Sequence, residues 1–120
     1  MPIKSQDLSI YQGDDYAAMI NVYQSDNVTP ANLTGFTAQA QIRPGTADQA
    51  PVAAEFTTAI VLPNQISISL THTQTTSLTA FGYEWDLQIT SSAGAITTLL
   101  AGAVAVTQEV TREPAVLMAR

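Results

Sequence analysis

Cysteine is absent from this 120-residue chain, so disulfides and thiolate metal sites are excluded from the outset. Positive charge is almost as scarce. Lys4, Arg43, Arg112 and Arg120 stand against ten acidic residues, for a net charge of −6. Nucleic-acid binding relies on Lys and Arg to neutralise phosphates, and so few dispersed cations cannot form that surface. The same acidity disfavours docking on anionic membranes. Long apolar runs are missing too: the longest apolar-rich stretch, Ile96 to Val106, is too short for a bilayer and contains Thr97 and Thr98. The opening residues Met1-Pro2-Ile3-Lys4-Ser5-Gln6-Asp7 lack the apolar segment of a secretory signal. The expectation is a chain made in the cytoplasm, with neither membrane nor nucleic acid among its partners.

Charge of either sign is rare, at 12% of residues, about half the share usual in a soluble domain. Apolar residues reach 46%, and the length suits one domain with a core of its own. With so few charges, the surface must be built from Thr, Ser, Gln, Asn and Ala. Such a surface suits burial against neighbours better than free diffusion.

What is abundant is two-residue alternation. Phe36, Ala38, Ala40 and Ile42 fall on one face of a segment whose other face carries Thr37, Gln39, Gln41 and Arg43. Tyr83 to Thr90 repeats the pattern with Tyr83, Trp85, Leu87 and Ile89 inward, and Gln65 to Leu70 repeats it with Ile66, Ile68 and Leu70. These are antiparallel strands with one side on a core. Further strands are predicted at Gln6–Tyr11, Tyr16–Tyr23, Ala53–Leu62 and Ile96–Thr107, separated by turn signals at Gly13-Asp14-Asp15, Pro63-Asn64 and Ser91-Ser92-Ala93-Gly94. The one helical candidate, Thr73 to Ala80, has too many β-branched residues for more than a turn or two. About seven strands with regular turns predict an all-β sandwich of immunoglobulin-like type, with a jelly roll as the alternative.

The last predicted strand differs because both its faces are apolar. Ile96, Leu100, Val104 and Val106 alternate with Leu99, Ala101, Ala103 and Ala105, and Gly102 between them signals a bulge or a close backbone approach. A strand without a polar face is expected to be covered on both sides. The predicted sandwich spans residues 1–112, followed by an arm, 113–120, that carries Val116, Leu117 and Met118. Leu99, Ala101, Ala103, Ala105 and these three arm residues are therefore the candidate partner-binding set.

Catalytic and metal-binding patterns are thin. His72 is the only histidine, no Gly-x-Ser-x-Gly elbow exists, and a loop or strand-end histidine is the plain reading. Asp14, Asp15 and Asp26 could supply oxygen ligands to calcium, but they lack the spaced ladder of an EF-hand and suit turns better. Glu84 and Asp86 share one strand face, as a glycosidase pair might, yet that face is the polar side of a patterned strand. Trp85, in register with Leu87 and Ile89, reads as core rather than a sugar-stacking platform. No catalytic residue, metal or cofactor is expected, and the chain reads as a non-enzyme.

Taken in order, Gln12-Gly13-Asp14, Asn32-Leu33-Thr34-Gly35-Phe36-Thr37-Ala38, Ala40-Gln41-Ile42-Arg43, Gly82-Tyr83-Glu84-Trp85-Asp86-Leu87 and Leu99 to Thr107 with Glu109-Val110-Thr111-Arg112 form a familiar succession. It resembles a family of small phage and prophage proteins, related in pattern to the immunoglobulin-like N-terminal domain of phage baseplate upper proteins. In that family a Gly-Asp turn opens the second strand, a Leu-Thr-Gly corner starts the third, and a Tyr-x-Trp/Tyr-Asp-Leu strand pairs with the last. The resemblance runs from about Gln12 to Arg112. It implies a bacteriophage virion structural protein, a docking or spacer module of the tail, baseplate or neck. Its partners would be other virion proteins, including tail, neck or capsid subunits, and further copies of itself. The family's fibre-bearing region has no counterpart before Arg120, so only the docking domain is implied. A capsid decoration (cement) protein stabilising the shell is an alternative, as is a carbohydrate-binding adhesion module.

Overall fold

The computed structural model describes residues 4–45, 51–79, 82–108 and 110. The candidate arm, with Val116, Leu117 and Met118, lies outside the described residues.

The strongest alternations become strands as expected. β4 (Thr37–Arg43), β7 (Gln65–Leu70) and β8 (Gly82–Thr90) bury alternate residues, among them Ala40, Ile42, Ile66, Ile68, Leu70, Trp85, Leu87 and Ile89. β8 forms a hairpin with β9 (Ile96–Thr107) through Ser91 and Gly94, whose φ of 91° suits glycine. The remaining strands are β1 (Lys4–Ser5), β2 (Leu8–Tyr11), β3 (Tyr16–Asn21), β5 (Ala54–Glu55) and β6 (Thr57–Val61). One short helix, α1 (His72–Thr76), follows β7 and is capped by Thr71, whose side chain accepts from the Gln74 amide.

Two sheets face each other. One runs β1-β9-β8-β4-β5, with β2 continuing beside β9, and the other runs β3-β7-β6. This is the B-E-D against G-F-C order of an immunoglobulin-like sandwich, not of a jelly roll. The core between the sheets joins Leu8 and Ile10 of β2, Ile42 of β4, Leu87 of β8 and Val104 of β9 to Ile66 and Ile68 of β7.

Three details depart from the sequence reading. First, β1 and β2 run parallel to β9, so that sheet is mixed rather than antiparallel. Second, the segment predicted as one strand, Ala53–Leu62, divides at Phe56. β5 pairs with β4 in one sheet, and β6 pairs with β7 in the other. Phe56 sits at the crossing, buried, with its ring 5.9 Å from Trp85 and 6.2 Å from Tyr16. With β1 standing apart from β2, the seven predicted strands become nine among the described residues.

Third, β9 carries its irregularity at Leu99. Leu87 pairs with Leu100 while Gln88 pairs with Thr98, leaving Leu99 as the extra residue. One added residue reverses the facing of everything before it. Leu99, expected on the outer face, is buried in the core at 7% exposure, and Ile96, expected inward, is 65% exposed. Gly102 is the close approach rather than the bulge. A Cβ there would collide with the Gln6 carbonyl and come within 2.9 Å of the Asp7 carboxylate. That carbonyl also accepts the Trp85 indole N–H at 2.7 Å, while Asp7 Oδ1 accepts the Ala103 amide at 3.0 Å. The step between β1 and β2 is thus pinned to β9 and β8 at one point.

Candidate docking surfaces

The outward side chains of β4, β8 and β9 form a grid set by strand register. Arg43 lies opposite Glu84, which lies opposite Ala103; Gln41 lies opposite Asp86, which lies opposite Ala101. Long polar side chains rise from β4 and β8, while β9 contributes a low floor at Ala101 and Gly102. The result is a shallow concavity of about 430 Å³, lined by Gln39, Gln41, Arg43, Glu84, Asp86 and Ala101 among others.

Hydrogen bonds organise the β4 side. Arg43 Nη2 donates to Gln41 Oε1 at 2.9 Å, and Gln39 Nε2 donates to Glu55 Oε2 at 3.1 Å. Partial burial pushes the Asp86 carboxyl above the usual range, and the attraction of Arg43 offsets this in part. The face is polar and acidic, with one guanidinium set among carboxylates.

This geometry redefines the candidate set. On this outer face Ala103 and Ala105 are exposed and Ala101 is half-buried, not covered within the described residues, whereas Leu99 belongs to the core. Of the second apolar face of β9, Ala101 belongs to the floor of the polar dish, while Ala103 and Ala105 line a separate opening beside Pro44, Gly82 and Glu84. Gln39, Gln41, Arg43 and Gln88 were passed over because strand alternation marks them only as solvent-facing. Their alignment with Glu84 and Asp86 is a product of register, which alternation does not encode.

The outer face of the other sheet is different in kind. Ala17, Met19 and Asn21 of β3, Ser69, Ser67 and Gln65 of β7, and Thr57, Ala59 and Val61 of β6 align in rows. No residue on this face carries a charge.

The candidate ligands for calcium are not brought together. Asp26 accepts from the Val28 and Thr29 amides and from the Thr29 hydroxyl, which hold its carboxyl below the usual range. Its neighbour Asn27 accepts from Lys4 Nζ, beside Leu100. Asp14 and Asp15 follow Tyr11, which pairs with Thr107 at the opposite end of β9. Among the described residues, no group of three or more His, Cys, Asp or Glu side chains is placed to hold a metal ion.

Asp15 instead binds His72, accepting its backbone N–H at 2.7 Å and facing its Nδ1 at 3.0 Å. The side-chain contact, then the backbone one, lowers the Asp15 carboxyl from its ordinary value. The Gln12-Gly13-Asp14 turn is fastened to α1 from beneath. Buried Thr75 Oγ1 accepts from the Gly13 amide at 3.0 Å and donates to the Asp14 carbonyl at 2.8 Å, and Gln12 Nε2 donates to the Thr76 carbonyl at 3.1 Å.

Glu84 and Asp86 share one strand face, with no exposed aromatic ring among the residues that line their concavity. Trp85 is 3% exposed and turned inward, as its alternation predicted. No helix among the described residues is long and apolar enough to cross a membrane. Neither a protein-family model nor a curated protein matches the chain.

Proposed function

We propose that this chain is a non-enzymatic structural protein of a bacteriophage virion, a docking or spacer module of the tail, baseplate or neck. The observation that carries the reading is where the family-like motifs fall in the sandwich. The Gln12-Gly13-Asp14 turn leads into β3, the Leu33-Thr34-Gly35 corner leads into β4, and the Tyr83-Glu84-Trp85-Asp86-Leu87 segment lies in β8 and pairs with β9.

Surface chemistry supports the same reading. The low floor beside Glu84, Asp86 and Arg43 offers a partner backbone close approach, with polar groups at one side to fix its register. The arm residues Val116, Leu117 and Met118 supply apolar side chains suited to a second contact on a neighbouring subunit. A polar dish with a low floor suits a protein partner better than a sugar, since glycan recognition relies on exposed aromatic faces and Trp85 is buried.

The test is an electron cryo-microscopy reconstruction of the particle encoded alongside this chain. The chain is expected as a ring about the tail axis, with the dish against another virion protein. Copies coating the shell would establish the decoration reading instead, and a particle without the chain would end both. A complementary variant, Ala101→Arg, fills the dish from the outer face of β9, so it should fold normally yet fail to enter particles. Full incorporation would exclude the dish as the contact.

A further inference from the structure

In the constant-type immunoglobulin order, the first strand lies beside the second. Here the first strand has gone entirely to β9, and among the described residues β3 pairs only with β7. One edge of β3 is therefore left without a strand. Natural sheets usually guard such edges with charges, prolines or bulges. β3 has none of these: Tyr16-Ala17-Ala18-Met19-Ile20-Asn21 is regular over its length, and its outer face is continuous with the charge-free face of β7 and β6. The other edges are blunter. β5 is two residues long, β1 and β2 are interrupted at Gln6-Asp7, and β6 is bridged to the facing sheet by Thr58 Oγ1 donating to the Ala38 carbonyl at 2.8 Å.

We infer that this edge is a self-association site, where β3 of a second copy adds antiparallel about a two-fold axis at Ala18. Two arguments select a second copy as the occupant. The first is charge. A chain carrying −6 repels its own copies, and β3 itself carries no charge, with Asp15, held by His72, at the margin of the paired segment.

The second is register. Opposed residues in an antiparallel pair must face the same side, so a two-fold axis has to pass through a residue. With the axis at Ala18, the pairs are Ala18 with Ala18, Ala17 with Met19, and Tyr16 with Ile20. Every pair from Tyr16 to Ile20 is apolar, the flanking pairs set Asn21 against Asp15, and Tyr16 and Ile20 continue the inner face while Ala17 and Met19 continue the outer one. Beside Ile20 and Val22 lies an opening of about 60 Å³ that reaches Leu99 and Leu100. Tyr16 of the second copy would cross next to Ile20 and cover it. The product is one six-stranded sheet, β6-β7-β3-β3-β7-β6. This inference is independent of the virion reading and of the dish.

The absence of cysteine makes the test direct. The full chain should sediment at twice its 12.7 kDa mass, and Ala18→Cys should form an interchain disulfide in air. Ala17→Cys should not, because residues 17 of the two copies are diagonal rather than opposed, roughly 7–8 Å apart. Ala17→Glu places a charge on the exposed outer side, where it cannot disturb the core. It should keep the wild-type circular dichroism and melt, yet sediment as a monomer. A wild-type chain that stays monomeric up to about 100 μM, corresponding to a weak affinity, overturns the proposal. So does cross-linking at residue 17 as readily as at residue 18, or a dimer that Ala17→Glu leaves intact.

Discussion

Replacing Gly102 with alanine adds a single methyl group, and the structure says where it must go. The new Cβ would collide with the Gln6 carbonyl oxygen, lie 2.7 Å from the Gln6 carbonyl carbon and 2.9 Å from Asp7 Oδ1. Two of these atoms are backbone, so no side-chain rotation relieves the clash. Two effects oppose each other. Alanine stiffens the unfolded chain and suits a strand better than glycine, a gain of about 0.5–1 kcal/mol. Overpacking against backbone costs about 1–3 kcal/mol. If Gln6 yields, the buried Trp85 N–H loses its acceptor, costing about 1–3 kcal/mol more. The penalty wins, leaving a net loss of about 1–5 kcal/mol. Urea unfolding followed by far-ultraviolet circular dichroism measures it. A double-mutant cycle with Trp85→Phe locates the cause, because Phe has no N–H to orphan. The pair should be less destabilised than the sum of the single variants. A Gly102→Ala chain within about 0.5 kcal/mol of wild type would refute the pinning of β1–β2 onto β9. Full additivity would refute the Gln6 link.

Thr75→Val keeps the side-chain shape but leaves the Gly13 amide and Asp14 carbonyl without their buried partner, so unfolding free energy should fall by about 1–3 kcal/mol; an unchanged urea midpoint would show that water replaces the hydroxyl freely. The two shifted aspartates should act in opposite directions with pH. The folded Asp15 carboxyl titrates below its unfolded value, so its contribution is present above about pH 3.8 and lost as pH falls through the folded value. Asp15→Asn should therefore destabilise at neutral pH and match wild type in strong acid. The folded Asp86 carboxyl titrates above its unfolded value, so its ionised form opposes folding at neutral pH, an effect that vanishes in acid. Asp86→Asn should melt slightly higher than wild type at pH 7, the gain kept small by solvent screening and the lost attraction of Arg43. A lower melting temperature there would mean that Arg43, not burial, dominates.

Much of the fold was legible because alternation reports which side chains face inward. Ile66, Ile68, Trp85, Leu87 and Ile89 all took the places their spacing gave them. Alternation does not report which sheet a strand joins. From Ala54 through Ile60 the inward residues keep a period of two, because inward remains inward on either wall of a sandwich. The crossing at Phe56 therefore left no mark. The bulge was silent for another reason: Leu99 and Leu100 are identical, and nothing local distinguishes the extra residue from its neighbour. Gly102 did signal its close approach, since only a residue without Cβ tolerates the Gln6 carbonyl there. The parallel course of β1 and β2 had no local signature in the sequence.

The candidate surfaces were less legible for a related reason. Counted along the chain, the charges look merely sparse. Folded, they segregate. Among the described residues, Glu55, Glu84, Asp86 and Arg43 gather on the β4-β8-β9 side, Asp7 sits at the step between β1 and β2, Lys4, Asp14, Asp15 and Asp26 lie at the ends, and the outer face of β3, β7 and β6 carries none. These faces impose different terms on a partner. Anything settling on the dish must strip water from carboxylates, so it binds well only if it returns hydrogen bonds or positive charge, and that requirement makes the contact selective. Anything settling along β3 loses little hydration and is rewarded mainly by backbone pairing, which is strong but indifferent to sequence. Selectivity on that edge must come from shape and register, and a two-fold copy of the same strand supplies both. One sandwich can thus hold a foreign partner on one face and its own kind along one edge without the two contacts competing.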